Sequence, residues 1–107
     1  MPRADEPTLY TLSPNGPLVR LYQQPDLPCR TRVGDFDIDA GPDETPDERV
    51  ARIAAACRTC RACPAIELCE AGFAELPPRF QQGVWAGQAR GVSARTTRAI
   101  AQLEDAS

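Results

Sequence analysis

Apolar residues recur at helical spacing in four places along the chain, separated by polar, acidic or proline-rich stretches. Leu18, Leu21 and Tyr22 are spaced for one short amphipathic turn or helix inside an otherwise irregular, proline-rich opening. Val50, Ile53, Ala54 and Cys57 share one face of a longer helix. Its start is written in Thr45-Pro46-Asp47-Glu48, a capping box with Pro at the first helical position and acids at the positive helix end. A further helix is expected from Pro64 to about Glu75, with Ile66, Cys69 and Phe73 inward, stopped by Pro77-Pro78. The last runs from Ser93, an N-cap residue, to about Glu104, with Val92, Thr96, Ile100 and Leu103 on one face. Between these two, Gly83-Val84-Trp85-Ala86-Gly87 reads as a tight turn displaying an aromatic. No strand pattern stands out, so the expected class is all-α, a small domain of three to four short helices. The expected division is an irregular arm over residues 1–24 and a folded domain over 25–107.

At 107 residues the chain fits one domain, and its apolar 42% is alanine-rich, with aromatics at only 6%. The core this supplies is thin, so a metal, a cross-link or a partner would help it fold. Lysine is absent, all 12 basic residues are Arg, and the net charge is −3. Nucleic-acid binding through overall charge is therefore disfavoured. Without any His, the usual catalytic triads, histidine proton shuttles and mixed Cys/His zinc sites are excluded. The opening residues lack a basic-apolar-small signal pattern, and no apolar run approaches membrane-spanning length. A reducing cytoplasm is the expected compartment, where clustered cysteines serve metals or redox chemistry more often than structural bridges.

From Asp35 to Glu48 the chain is acidic, and Asp35-Phe-Asp37-Ile-Asp39 resembles the start of a calcium loop. Gly41 falls one place late and Pro46 occupies the position of the bidentate Glu, so a solvated acidic loop is the better reading.

Four of the five cysteines, Cys57, Cys60, Cys63 and Cys69, fall within thirteen residues, and Cys29 stands apart. Four thiolates suit tetrahedral zinc or an iron-sulfur cluster. Zinc sites usually show two close pairs, whereas a lone Cys joined to a dense group favours iron-sulfur. The helix opening at Pro64, with Arg58 and Arg61 nearby, would stabilise an anionic centre. Two ligand sets are open: Cys57-x2-Cys60-x2-Cys63 is similar to the tight triple of bacterial ferredoxins, yet Cys57 also lies on an apolar stripe, where a free Cys behaves as a small core residue. A thiol-disulfide oxidoreductase using a Cys-x-x-Cys pair is a further reading, without the usual strand context. A structural zinc scaffold is another.

Cys29, Cys60-x2-Cys63-Pro64-x4-Cys69 and the following Gly83-Val84-Trp85-Ala86-Gly87 together resemble the WhiB-like family of actinobacteria and their phages, over roughly residues 25 to 103. The resemblance implies a small helical protein wrapped around a 4Fe-4S cluster that responds to oxygen, redox state or nitric oxide, or holds the fold together. It implies Cys29, Cys60, Cys63 and Cys69 as cluster ligands. It further implies a non-enzymatic, monomeric transcriptional regulator that docks on the C-terminal domain of the principal sigma factor of RNA polymerase, with Gly83, Val84, Trp85, Ala86 and Gly87 on the contacting surface. Cys57 is additional to the family pattern, and Ala86 stands where Gly is common. Many relatives bind DNA through a more basic C-terminal segment; here Arg90, Arg95 and Arg98 are the candidate phosphate contacts, opposed by Glu104 and Asp105. The solvated face of the last helix is the plainer reading of those arginines.

Overall fold

The Thr45 hydroxyl accepts from the Glu48 amide at 3.1 Å, and the Glu48 carboxylate accepts from the Thr45 amide at 2.9 Å. This completed capping box opens the longest helix, α3 (Pro46–Arg61), in a computed structural model that describes residues 16–105. Before it come α1 (Pro17–Tyr22) and the single-turn α2 (Pro28–Thr31), followed by a 3₁₀ turn at Val33–Phe36. After it come α4 (Ile66–Glu75), the strands β1 (Gly83–Trp85) and β2 (Gln88–Arg90), and α5 (Ala94–Asp105). Residues 1–15 of the expected arm lie outside the described residues. Within the same stretch, α1 belongs to the folded body: Leu18 and Leu21 are buried, Tyr22 faces solvent, and the Leu18 amide donates to Glu75 of α4.

The body is mostly helical, as the apolar spacing predicts, but Gly83–Arg90 is a two-stranded antiparallel hairpin rather than part of an all-α chain. Trp85 pairs with Gln88, so Ala86 and Gly87 form a two-residue loop. Both have positive φ, at 51° and 82°, the signature of a type I′ turn matching the twist of its strands. Three-residue strands are too short to show alternation, which is why the pattern reads as a turn alone.

The helix expected from Pro64 begins two residues later, α4 starting at Ile66. Ser93 caps α5, accepting from the Thr96 amide at 3.1 Å. Ile100 is the buried anchor of α5, while Leu103, expected inward, is exposed. The neighbouring Glu104 takes the inward place instead, because it pairs with Arg61 of α3. Among the described residues no helix is long and apolar enough to cross a membrane.

The apolar interior is split in two. A first core joins Phe36, Ile53, Ala54, Ala56, Cys57, Cys60, Val84 and Ile100. A second joins Leu18, Leu21, Leu27 and Ala65, with Leu68, Leu76 and Trp85 packed on it. Gly72 lets α1 and α4 close on each other: a Cβ there would lie 3.2 Å from the Leu18 Cα. Cys29 packs against both cores.

Candidate metal centre

A cavity of about 420 Å³ opens where the two cores meet, and Cys29, Cys60, Cys63 and Cys69 all line it. Each reaches the wall from a different local structure. Cys29 is carried by α2, which Pro28 starts, and Cys60 lies in the last turn of α3, one residue before the helix ends. Cys63 follows that end, in the non-helical junction that Pro64 creates, and Cys69 returns one turn into α4. Cys57 is one helical turn before Cys60, only 1% exposed, packed in the first core and not among the residues lining this cavity. A smaller hollow of about 190 Å³, on the side of α3 facing α5, touches Cys57 together with Arg61, Ile100 and Glu104.

Backbone amides face the sulfurs. The Ala65 N–H donates to Cys63 Sγ at 3.4 Å, and the Ala86 N–H donates to Cys69 Sγ at 3.3 Å. The Gly87 backbone stabilises the charged form of Cys60 in the same way. The hairpin loop thus aims the Ala86 amide at Cys69 and brings the Gly87 backbone near Cys60, a favourable arrangement for thiolate charge.

Burial is the larger influence on the thiols themselves. It pushes Cys69 up to about 11, with the other three cavity thiols adding repulsion and the Ala86 amide opposing. Burial raises Cys60 as well, with repulsion from Cys29 and Cys63. Cys29 is raised first by burial and then by Cys63. The cavity thiols therefore sense one another. Cys57 is also pushed up to about 11, by burial and then by Glu104, and of the four cavity thiols only Cys60 adds to this. At neutral pH Cys29, Cys60 and Cys69 are therefore protonated in the metal-free chain, so a bound metal centre must displace protons.

All five cysteines are free thiols. Among the described residues, no three Cys, Asp or Glu side chains gather around one point as ligands of a single metal ion. The four cavity thiols are instead distributed around a space with room for a larger group. Four soft thiol donors, amides directed at sulfur and an enclosing apolar wall fit a thiolate-held cluster.

Trp85 lines the same cavity, with its indole N–H donated to the Gln82 carbonyl at 2.8 Å and its ring tilted against Phe73 at 5.8 Å. Arg90 lies over the other partner, its guanidinium 4.9 Å from the Phe73 ring centre. Gly83 and Val84 also line the cavity, but Gly87 faces the hollow on the Cys57 side. Arg95 and Arg98 are exposed on α5, away from the cavity wall. Arg61 bonds the Gly87 carbonyl and the Glu104 carboxylate, and its charge still favours the thiolates of Cys57 and Cys60. Arg58 is exposed.

The acidic stretch shows a feature the sequence concealed. Phe36 and Ile38 turn inward while their aspartate neighbours stay exposed, and Arg52 gathers the loop's carbonyls. Alternation of Phe36 and Ile38 with Asp35, Asp37 and Asp39 was the available signal. No family model, curated protein or solved structure matches the chain. The WhiB-like resemblance rests on its own residues.

Proposed function

We propose that the chain is a WhiB-like iron-sulfur regulator: Cys29, Cys60, Cys63 and Cys69 hold a 4Fe-4S cluster, and the Trp85 hairpin beside it docks on the C-terminal domain of the principal sigma factor. The observation that carries this reading is the sorting of the thiols. The four cysteines matching the family order line one cavity with Trp85, and the additional Cys57 lies outside it.

When bound, such a cluster supplies a redox-active, oxygen- and nitric-oxide-reactive centre. The chain's own contribution is to shelter it behind apolar walls, to direct the Ala86 and Ala65 amides at its sulfurs, and to place the docking residue in the same hairpin. A change at Cys69 is therefore one hydrogen bond from the loop that follows Trp85. Burial raises both Cys57 and Cys60, which weighs against a disulfide oxidoreductase built on that Cys-x-x-Cys pair, since its attacking thiol needs a low pKa. Arg90, Arg95 and Arg98, with no acidic residue between Leu76 and Leu103, offer a secondary contact to promoter DNA once sigma has delivered the protein there.

Anaerobic purification should give a brown protein with broad visible absorption that binds the sigma C-terminal domain, and Trp85→Ala should abolish that binding while keeping the colour. A colourless zinc protein would refute the cluster. A brown protein that ignores sigma would refute the partner.

A further inference from the structure

One wall of the cavity is a strap, residues 27–39, whose only regular structure is the single-turn α2 and the 3₁₀ turn after it. It contributes Leu27, Cys29, Val33, Phe36 and Ile38 to the lining and carries the one cavity cysteine remote in sequence. Val33, Gly34 and Asp35 are exposed, so packing alone holds the middle of the strap weakly.

Arg52 on α3 makes most of the polar contacts that hold it. Arg52 Nη1 donates to the carbonyls of Gly34, Asp35 and Asp37, and Nη2 donates to that of Asp39 at 2.9 Å. Nη1 has two hydrogens for three carbonyls, so these bonds are shared. The guanidinium is itself fixed by Glu44, with Nε to Oε2 at 2.7 Å and Nη2 to Oε1 at 3.0 Å. Both side chains are largely sheltered, at 18% and 15% exposure. One turn earlier on α3, Arg49 Nε donates to the Ile38 carbonyl at 2.7 Å. A bidentate, sheltered, charge-assisted pair is far more persistent than an exposed one. The planar fork of Arg serves this geometry, whereas a Lys ammonium is a single point.

We propose that Arg52 and Glu44 form a latch that holds the Cys29 strap across the cavity and sets how readily the cavity thiols, and any centre they hold, are reached from solvent. Arg52 is thus a positioning residue, acting through the strap and touching no thiol. The inference deepens the reading above, since the strap carries one of its four ligands, but its first test involves no cofactor.

That test compares alkylation rates at each cysteine of the metal-free full chain, using N-ethylmaleimide and mass spectrometry. Arg52→Met should speed modification of Cys29 and Cys60 about tenfold, the order expected from freeing a locally opening segment. Cys57, buried outside the cavity, should keep its rate and report any global loosening. Glu44→Gln should act in the same direction, and Arg52→Lys should restore little. Equal acceleration at Cys57 and Cys60, or none at either, overturns the latch. Should Arg52→Met lose its helical circular dichroism, Glu44→Gln decides by the same criterion. In protein reconstituted with iron and sulfide, visible absorption should decay about tenfold faster under EDTA in the latch variants, and equal decay rates overturn the control of access. A wild type that takes up no iron refutes the cluster reading, and the alkylation rates then decide the latch by themselves.

Discussion

Cys57→Ser and Cys29→Ser should separate stability from iron binding in opposite directions. Cys57 is 1% exposed and packed with Ile53, Ala54 and Val84, so serine would bring a hydroxyl into an apolar site. An unsatisfied buried hydroxyl costs about 1–3 kcal/mol. Part of that is recovered if the hydroxyl bonds back to the Ile53 carbonyl one turn earlier on α3. Serine and cysteine have similar helix propensities, so no further correction applies. The net loss is about 1–2 kcal/mol, and at about 4–8 °C per kcal/mol for a domain of this size the melting temperature should fall by roughly 5–15 °C. Cys29 is half-buried on a single-turn helix, and serine there should move the melt of the metal-free chain by only a few degrees. Thermal melts by circular dichroism and iron per chain after anaerobic reconstitution give both quantities. Cys57→Ser should melt early and keep its iron; Cys29→Ser should melt normally and lose it. Loss of iron from Cys57→Ser to the same extent as from Cys29→Ser would refute the assignment of Cys57 to the core, as would an unchanged melt.

Gly72→Ala should destabilise by about 1 kcal/mol: alanine gains about 1 kcal/mol of helix propensity but pushes on the Leu18 backbone at 3.2 Å, an overpacking of about 1–3 kcal/mol. A raised melting temperature would mean that α1 moves aside freely. Ala86→Gly should stabilise by about 0.5–1 kcal/mol, because relief of the left-handed φ, worth about 1–2 kcal/mol, exceeds the entropy that glycine adds to the unfolded chain; an earlier melt would count against the type I′ assignment. Acid should weaken the acidic loop: the Arg52 guanidinium beside Glu44, and the Thr45 amide beside Glu48, hold both carboxyls below their ordinary value of 4.5. The unfolded chain then takes up protons first, so this stabilisation is present above about pH 4.5 and is lost as pH falls through the lower folded values. Glu44→Gln should show a shallower loss of stability with acid in urea titrations at pH 3 to 6, and an identical slope would rule out the pairing.

Much of the helical frame is legible in the sequence because its signals are local. Thr45 with Glu48, and Ser93, announce α3 and α5 through side chains that bond amides three residues away. The burial of Cys57 is legible for a similar reason, because it falls on the stripe of Ile53 and Ala54 that faces the first core, whereas the joining of Cys29 to Cys60, Cys63 and Cys69 comes only from the family resemblance. The missed features have non-local partners. Arg52 bonds backbone carbonyls up to eighteen residues away, and no residue type encodes a carbonyl. Gly72 matters only because Leu18 lies opposite, and Leu103 yields its place to Glu104 because Arg61 waits on another helix. The hairpin was concealed by its brevity, although the glycines at both ends of its loop region were visible.

The divided interior gives the chain an unusual itinerary. It leaves the second core after Leu27, enters the first by Phe36, returns to the second by Ala65, re-enters the first at Val84, touches the second at Trp85 and is back in the first from Ala89 to Ile100. Cys29 stands on the first crossing, Cys60 and Cys63 flank the next, and the hairpin straddles a later one. Three of the four cavity thiols are thus placed like stitches along a seam, where the thread passes from one piece of cloth to the other, and Cys69 faces them from within the second piece. Any group that gripped them together would close the seam at several points at once, so the two pieces would move as one.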